Sequence, residues 1–292
     1  MPIGKPRITL YLDVERSYLS VAHLIKRHIR FDGTIIPDRT FEELKNAEEK
    51  YIVRVQCRTY KDCLETIYNL KRGKLLSPEE YKNLGAVVLD TVSRLADITR
   101  RAVVSPTSSS DEFFDFWGKR DSLHAQFQDW GSMTSIISEL CSKSASFCED
   151  QGVPFIIGSH ERMIEDKLEN KEMKGGMDLN AKLLSEIEEN SDYVWRCWKE
   201  DKEVQIGTPL VKYKAGTYFL RTATSNQRRT KARMIPEVAA RMGEFIANPN
   251  LPEIFAKLGV FRPNVLSLFG PPGSGKTTLA TSLSDPKNWS DK

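Results

Sequence analysis

No run of eighteen apolar residues occurs in this 292-residue chain, so no segment is expected to span a membrane. The opening residues, Met1-Pro2-Ile3-Gly4-Lys5, lead into no apolar signal segment. Cysteine is scarce: Cys57, Cys63, Cys141, Cys148 and Cys197 are an odd count of 5 with no C-x-x-C pair, which argues against a disulfide framework and against a zinc ribbon. Cys141 and Cys148, two helical turns apart with His160 downstream, read as buried thiols rather than zinc ligands. The net charge of +3 is too small to name a nucleic-acid partner by itself. A cytoplasmic, reducing location is the expectation these absences leave. A hydrophobic share of 40% and a charged share of 28% fit an ordinary globular chain, long enough for two domains.

What is present is concentrated near the end. Val265-Leu266-Ser267-Leu268-Phe269 is an apolar run, Gly270-Pro271-Pro272-Gly273-Ser274-Gly275-Lys276-Thr277-Thr278 carries G-x-x-x-x-G-K-T, and Leu279-Ala280-Thr281-Ser282-Leu283 continues as a helix former. A turn that wraps a polyphosphate must aim successive backbone N–H groups inward, and Gly270, Gly273 and Gly275 accept the dihedrals this needs. Ser274 would add a hydroxyl, Lys276 a compact cation for the β- and γ-phosphates, and Thr277 a ligand for Mg²⁺ bound with ATP or GTP. Thr278 belongs to the same nucleotide-binding element, with its side chain expected toward the helix interior. These residues resemble the Walker A element of P-loop NTPases, in the form seen in AAA+ ATPases, helicases and small kinases. The resemblance implies nucleotide binding on a strand, loop and helix.

Only 14 residues, 279–292, follow Thr278, too few for the further strands of a P-loop domain and for the acid that holds Mg²⁺ through water. Either the segment opens a domain continued beyond it, or the missing strands come from upstream by permutation, or the loop binds phosphate without hydrolysis. Upstream, Ile8-Thr9-Leu10-Tyr11-Leu12 predicts a buried strand running into Asp13-Val14-Glu15 and then a helix over 18–29. Asp13 and Glu15 are the catalytic candidates, as a Mg²⁺-binding pair or an acid lent to the P-loop. The bland alternative is two carboxylates at a helix N-terminus beside basic neighbours.

The rest predicts a mixed, helix-rich α/β chain. A helix is expected over 41–50, another over 60–71, and a long one opened by Ser77-Pro78 whose body, 84–98, includes Val87-Val88-Leu89-Asp90 and leaves Asp90 without a role. Residues 105–110 form a Ser-rich linker, 111–117 an acidic aromatic cluster, and 123–150 a helix broken near Gly131. Residues 153–157 predict a strand and 158–174 a charged helix, with His160 as a cap or surface residue. Residues 210–214 and 217–221 predict a hairpin, with short helices over 236–247 and 252–258. Three units follow from this: 1–104, 111–235, and 236–292 as the start of a P-loop domain at the C-terminus.

From Lys212 to Arg233, seven cations (Lys212, Lys214, Arg221, Arg228, Arg229, Lys231 and Arg233) occur without one acid, with Tyr213, Tyr218 and Phe219 among them. Cations neutralise phosphates and rings stack on bases, so this is the candidate nucleic-acid surface, for RNA before DNA. The functional expectation is ATP or GTP binding coupled to RNA binding, as in a helicase or viral replication NTPase, possible as a homo-oligomer. The alternatives are a non-enzymatic RNA-binding scaffold with an idle P-loop, and a metal-dependent nuclease or nucleotidyl-transfer site near Asp13 and Glu15.

Overall fold

The computed structural model describes residues 6–15, 18–36, 51–104, 127–165, 173–206, 210–223 and 229–289. The expected helix over 41–50, the linker 105–110, the aromatic cluster 111–117 and Arg228 lie outside the described residues.

Thirteen strands are formed among the described residues: β1 (Ile8–Asp13), β2 (Ile25–Ile29), β3 (Ile52–Gln56), β4 (Leu84–Asp90), β5 (Phe155–Glu165), β6 (Met173–Met177) and β7 (Tyr193–Lys199) in the first part of the chain. There follow β8 (Val204–Ile206), β9 (Val211–Tyr213), β10 (Tyr218–Arg221), β11 (Lys231–Ala232), β12 (Phe245–Ala247) and β13 (Val265–Gly270). Eleven of them join one sheet in the order β12-β10-β7-β13-β5-β4-β1-β3-β2, with β11 on β7 and β6 on β5. The run from β7 to β2 is parallel throughout, and β10 and β12 continue it antiparallel.

Helices cover both faces. On one lie α1 (Tyr60–Lys71), α3 (Val92–Val104), α4 (Phe127–Gln151) and α5 (Ala181–Asn190), with the short α2 (Pro78–Lys82) between the first two in sequence. Their Ile67, Leu95, Ile137 and Leu183 pack with Leu10, Leu12, Val87, Leu89 and Phe269 of the sheet. On the other face, α6 (Pro236–Met242), α7 (Leu251–Leu258) and α8 (Lys276–Ala280) set Val238, Ile254 and Leu279 against Tyr11, Val88 and Leu268. Adjacent strand residues point to opposite faces, and both faces are covered, so the central strands are apolar at nearly every position. β13 is buried along its whole length; each of its Leu and Phe side chains contributes about 1.5–3 kcal/mol by leaving water.

The structure corrects several expectations. Residues 84–98 are not one helix: β4 runs to Asp90 and α3 begins at Val92, a junction that continuous hydrophobicity hides. Residues 18–24 form a 3-10 turn and 25–29 a strand. The segment 158–165 stays extended because β5 continues into an antiparallel pair with β6, where Gly175 and Gly176 are strand residues. The helix α4 passes through Gly131 unbroken. The two expected hairpin arms part company: β9 pairs with β8, while β10 pairs with β7 and β12. Residues 245–247 are likewise a strand rather than helix.

The largest correction concerns the C-terminal P-loop unit. β13 is not set apart from the preceding strands; it lies between β5 and β7 with parallel pairing on both sides. Strands from 1–104, 111–235 and 236–292 thus stand side by side in one sheet. The strands that the loop needs come from upstream in the sequence. After α8 the chain closes against the start of β1: Arg7 N donates to Leu283 O at 3.0 Å, and Ser284 Oγ donates to Arg7 O and shares a hydrogen bond with Thr9 Oγ1, both at 2.6 Å.

Candidate nucleotide site

All the parallel strands end on one edge, and the register places their last residues together: Asp13 beside Asp90, and Gly270 beside His160. β13 delivers the chain to this edge, where it must turn sharply into α8. Gly275 caps that helix with φ +81°, a left-handed conformation that a side chain would strain. Gly270 is glycine for space: a Cβ there would come within 2.0 Å of Cys197 O on β7.

The loop folds around its own lysine. Lys276 Nζ donates to Gly270 O at 2.9 Å and Pro271 O at 3.0 Å. Burial pulls its pKa below the ordinary lysine value, opposed by Cys197, Asp90, Glu15 and Glu161 around it. Buried and ringed by carboxylates, this ammonium is a cation held ready for a polyanion. Ser274 is buried beneath the loop, and Thr278 is exposed on its rim rather than turned inward as expected.

Thr277 makes the contact that defines the site: its Oγ1 donates to Asp90 Oδ2 at 2.6 Å. The same Oδ2 accepts from Tyr11 OH at 2.7 Å, so a buried carboxylate at the end of β4 is fixed from both sides. Glu15, two residues beyond β1, shares a 2.7 Å hydrogen bond with His160 Nε2 and accepts from Thr91 Oγ1 at 3.1 Å. The bond from His160 holds the Glu15 pKa below its ordinary value, with the nearby charges of His160 and Lys276 adding to it and burial opposing. Ionised Glu15 is an acceptor only, so the shared proton sits on His160 Nε2. Glu15, Asp90, His160, Lys276, Thr277 and Tyr218 line one cleft of about 330 Å³.

The two sequence candidates at the end of β1 separate. Asp13 is turned away from the cleft, 1% exposed, and accepts from Arg54 Nε at 2.7 Å. Arg54 in turn contacts His28 Nδ1 at 2.8 Å and lies 3.9 Å above the Tyr18 ring. Asp13 is the anion of a buried structural ion pair. Among the described residues no group of three His, Cys, Asp or Glu is arranged to hold a metal ion.

The basic stretch also resolves residue by residue. Lys212 pairs with Glu203 at 2.6 Å, Arg221 pairs with Glu244, and Arg233 pairs with Asp192 at 3.4 Å. Arg229 grips both oxygens of Glu188 on α5, at 2.7 and 3.1 Å, and Lys231 donates to Glu188 O at 2.6 Å. Lys214 is exposed. Phe219 stacks on Trp198 with centroids 5.1 Å apart, and Tyr213 meets Phe219 edge-on at 4.9 Å, so these rings build the sheet's corner.

Two residues of the cleft were given no site role by the sequence, Asp90 and His160, and Tyr218 was assigned to a nucleic-acid surface instead. Asp90 carried a signal, a hydrophobic run ending in an acid, that a strand assignment would have exposed. The places of His160 and Tyr218 at the cleft carried none, since they depend on sheet pairing.

A central parallel strand, a glycine turn around a buried lysine, and a threonine bonded to a strand-end carboxylate are the construction of nucleotide-binding P-loop proteins. The chain belongs to the AAA domain family, whose model matches residues 7–234. That match covers β1 to β11 with Asp90, Glu15 and His160, and stops short of the loop itself. No curated protein and no solved structure matches the chain.

Proposed function

We infer that the protein binds a nucleoside triphosphate with Mg²⁺ in this cleft and hydrolyses its terminal phosphate. The observation that carries this reading is the 2.6 Å bond from Thr277 Oγ1 to Asp90 Oδ2. It joins the loop to an upstream acid, the component that the loop's own flank lacks.

The donor set suits Mg²⁺, which takes hard oxygen ligands and keeps several waters. Thr277 Oγ1 would hold the ion directly and Asp90 through water, and the ion would supply neutralisation of phosphate charge. Lys276 exchanges its carbonyl partners for phosphate oxygens, and the loop N–H groups with the α8 N-terminus cradle the rest. Glu15 accepts a hydrogen bond from the attacking water. His160 and Thr91 fix its carboxylate, and its lowered pKa keeps it ionised, so it contributes more by orienting water than by strong basicity.

The test is nucleotide titration and phosphate release with the full chain. Lys276→Ala is expected to abolish detectable binding, and Asp90→Asn to weaken Mg²⁺-dependent binding. Glu15→Gln is expected to keep binding and lower turnover by about 10²-fold or more. Equal nucleotide binding by wild type and Lys276→Ala would remove the reading.

A further inference from the structure

We propose that Tyr218 is the base-stacking residue of this cleft. The inference rests on the nucleotide reading above and adds to it the place of the nucleoside end.

The sheet order sets the direction of the ligand. β4 and β1, which bring Asp90 and Glu15, lie on the β5 side of β13, whereas β10 lies beyond β7 on the opposite side. Thr277, Asp90, Glu15 and His160 draw the terminal phosphate and its cation toward the first side. A nucleoside triphosphate is elongated, so its base points to the other side, where β10 begins.

Tyr218 stands there. It is the one Phe, Tyr or Trp ring lining the cleft among the described residues, and it remains 39% exposed. Its ring touches the phosphate loop: a Cβ added to Gly275 would lie 2.9 Å from Tyr218 Cδ1. Strand alternation sends neighbouring Phe219 the opposite way into the aromatic corner, so Tyr218 is not consumed by that packing. Its backbone is tied to Asn248, Tyr218 N donating to Asn248 Oδ1 at 3.3 Å and Tyr218 O accepting from Asn248 N at 2.7 Å. Lys199 Nζ lies 5.7 Å from the ring centroid, a cation beside the same ring. A rigid ring beside a phosphate cradle meets a flat π surface with little loss of entropy. Stacking tolerates any base, so ATP and GTP should bind alike at this subsite.

The experiment titrates the full chain with MgATP, MgGTP and magnesium tripolyphosphate. Tyr218→Ala should weaken both nucleotides about tenfold or more and leave tripolyphosphate binding unchanged. Tyr218→Phe, which keeps the ring, should rescue the nucleotides. In turnover, Tyr218→Ala should raise KM with kcat retained, the signature of lost uniform binding. Wild-type affinity for ATP in Tyr218→Ala would overturn the proposal. So would a parallel loss of tripolyphosphate binding, which would mean that the ring only shapes the loop at Gly275. If wild type binds neither ATP nor tripolyphosphate, the nucleotide reading falls and takes this one with it.

Discussion

Asp13 and Glu15 are two residues apart and have opposite fates. One carboxylate is enclosed with Arg54 beneath the sheet edge, and the other reaches the cleft and His160. Each fate predicts a different loss. Asp13→Ala leaves a buried guanidinium without its anion and should destabilise the fold by about 3–5 kcal/mol, read from urea midpoints. Glu15 acts on the pH dependence instead. Its folded pKa lies below the ordinary 4.5, so its contribution to stability is fully present above that value and is lost as pH falls through the folded value. Glu15→Gln should therefore flatten the decline in stability below pH 4.5, and an unchanged acid limb would contradict the His160 contact. Residue types and local spacing made the phosphate loop legible in the sequence, because G-x-x-x-x-G-K-T is a short-range pattern. The partners of Thr277 and Glu15 were not legible: Asp90 lies 187 residues from Thr277, and His160 lies 145 residues from Glu15.

Elements tell a similar story. The helix α1 and the start of α2 follow the sequence because their caps are local: Thr59 with Asp62 and Ser77 with Glu80 each form a reciprocal capping box. Strands buried on both faces lose the alternating pattern, which is why β4 merged with α3, while the charged continuation of β5 passed for helix because only its pairing with β6 holds it extended. The close passage of β13 beside β7 is a further element-level constraint. Gly270→Ala would force a Cβ against Cys197 O and part the two strands, with an expected cost of about 1–3 kcal/mol in denaturant unfolding and weaker nucleotide binding. The basic segment acts as a clasp. Arg229 holds Glu188, whose pKa burial raises against the pull of Arg229 itself, so this carboxylate depends on its cation. Arg229→Ala should lower stability by roughly 1–2 kcal/mol, seen as a falling thermal midpoint. An unchanged midpoint would return Arg229 to the pool of cations free for other contacts.

At the scale of the whole molecule, the Ser-rich stretch and the phosphate-loop segment suggested three units, and strands from all three stand in one sheet. Sequence pattern reports which segments are strands more readily than which strands are neighbours, and here the neighbours are far apart. Among the described residues β13 follows every other strand of the sheet in sequence and yet occupies a position between β5 and β7. During synthesis, the flanking strands emerge first and present two unpaired edges until the last one arrives. Such an order makes folding slow and exposes sticky backbone in the interval. The strand that fills the slot also carries the phosphate loop, so a nucleotide can bind only after the slot is filled. By mass action a ligand that binds the filled form alone adds to its stability, about 2.7 kcal/mol at a hundredfold excess over Kd. Bound nucleotide would thus act on the nascent chain as a folding latch.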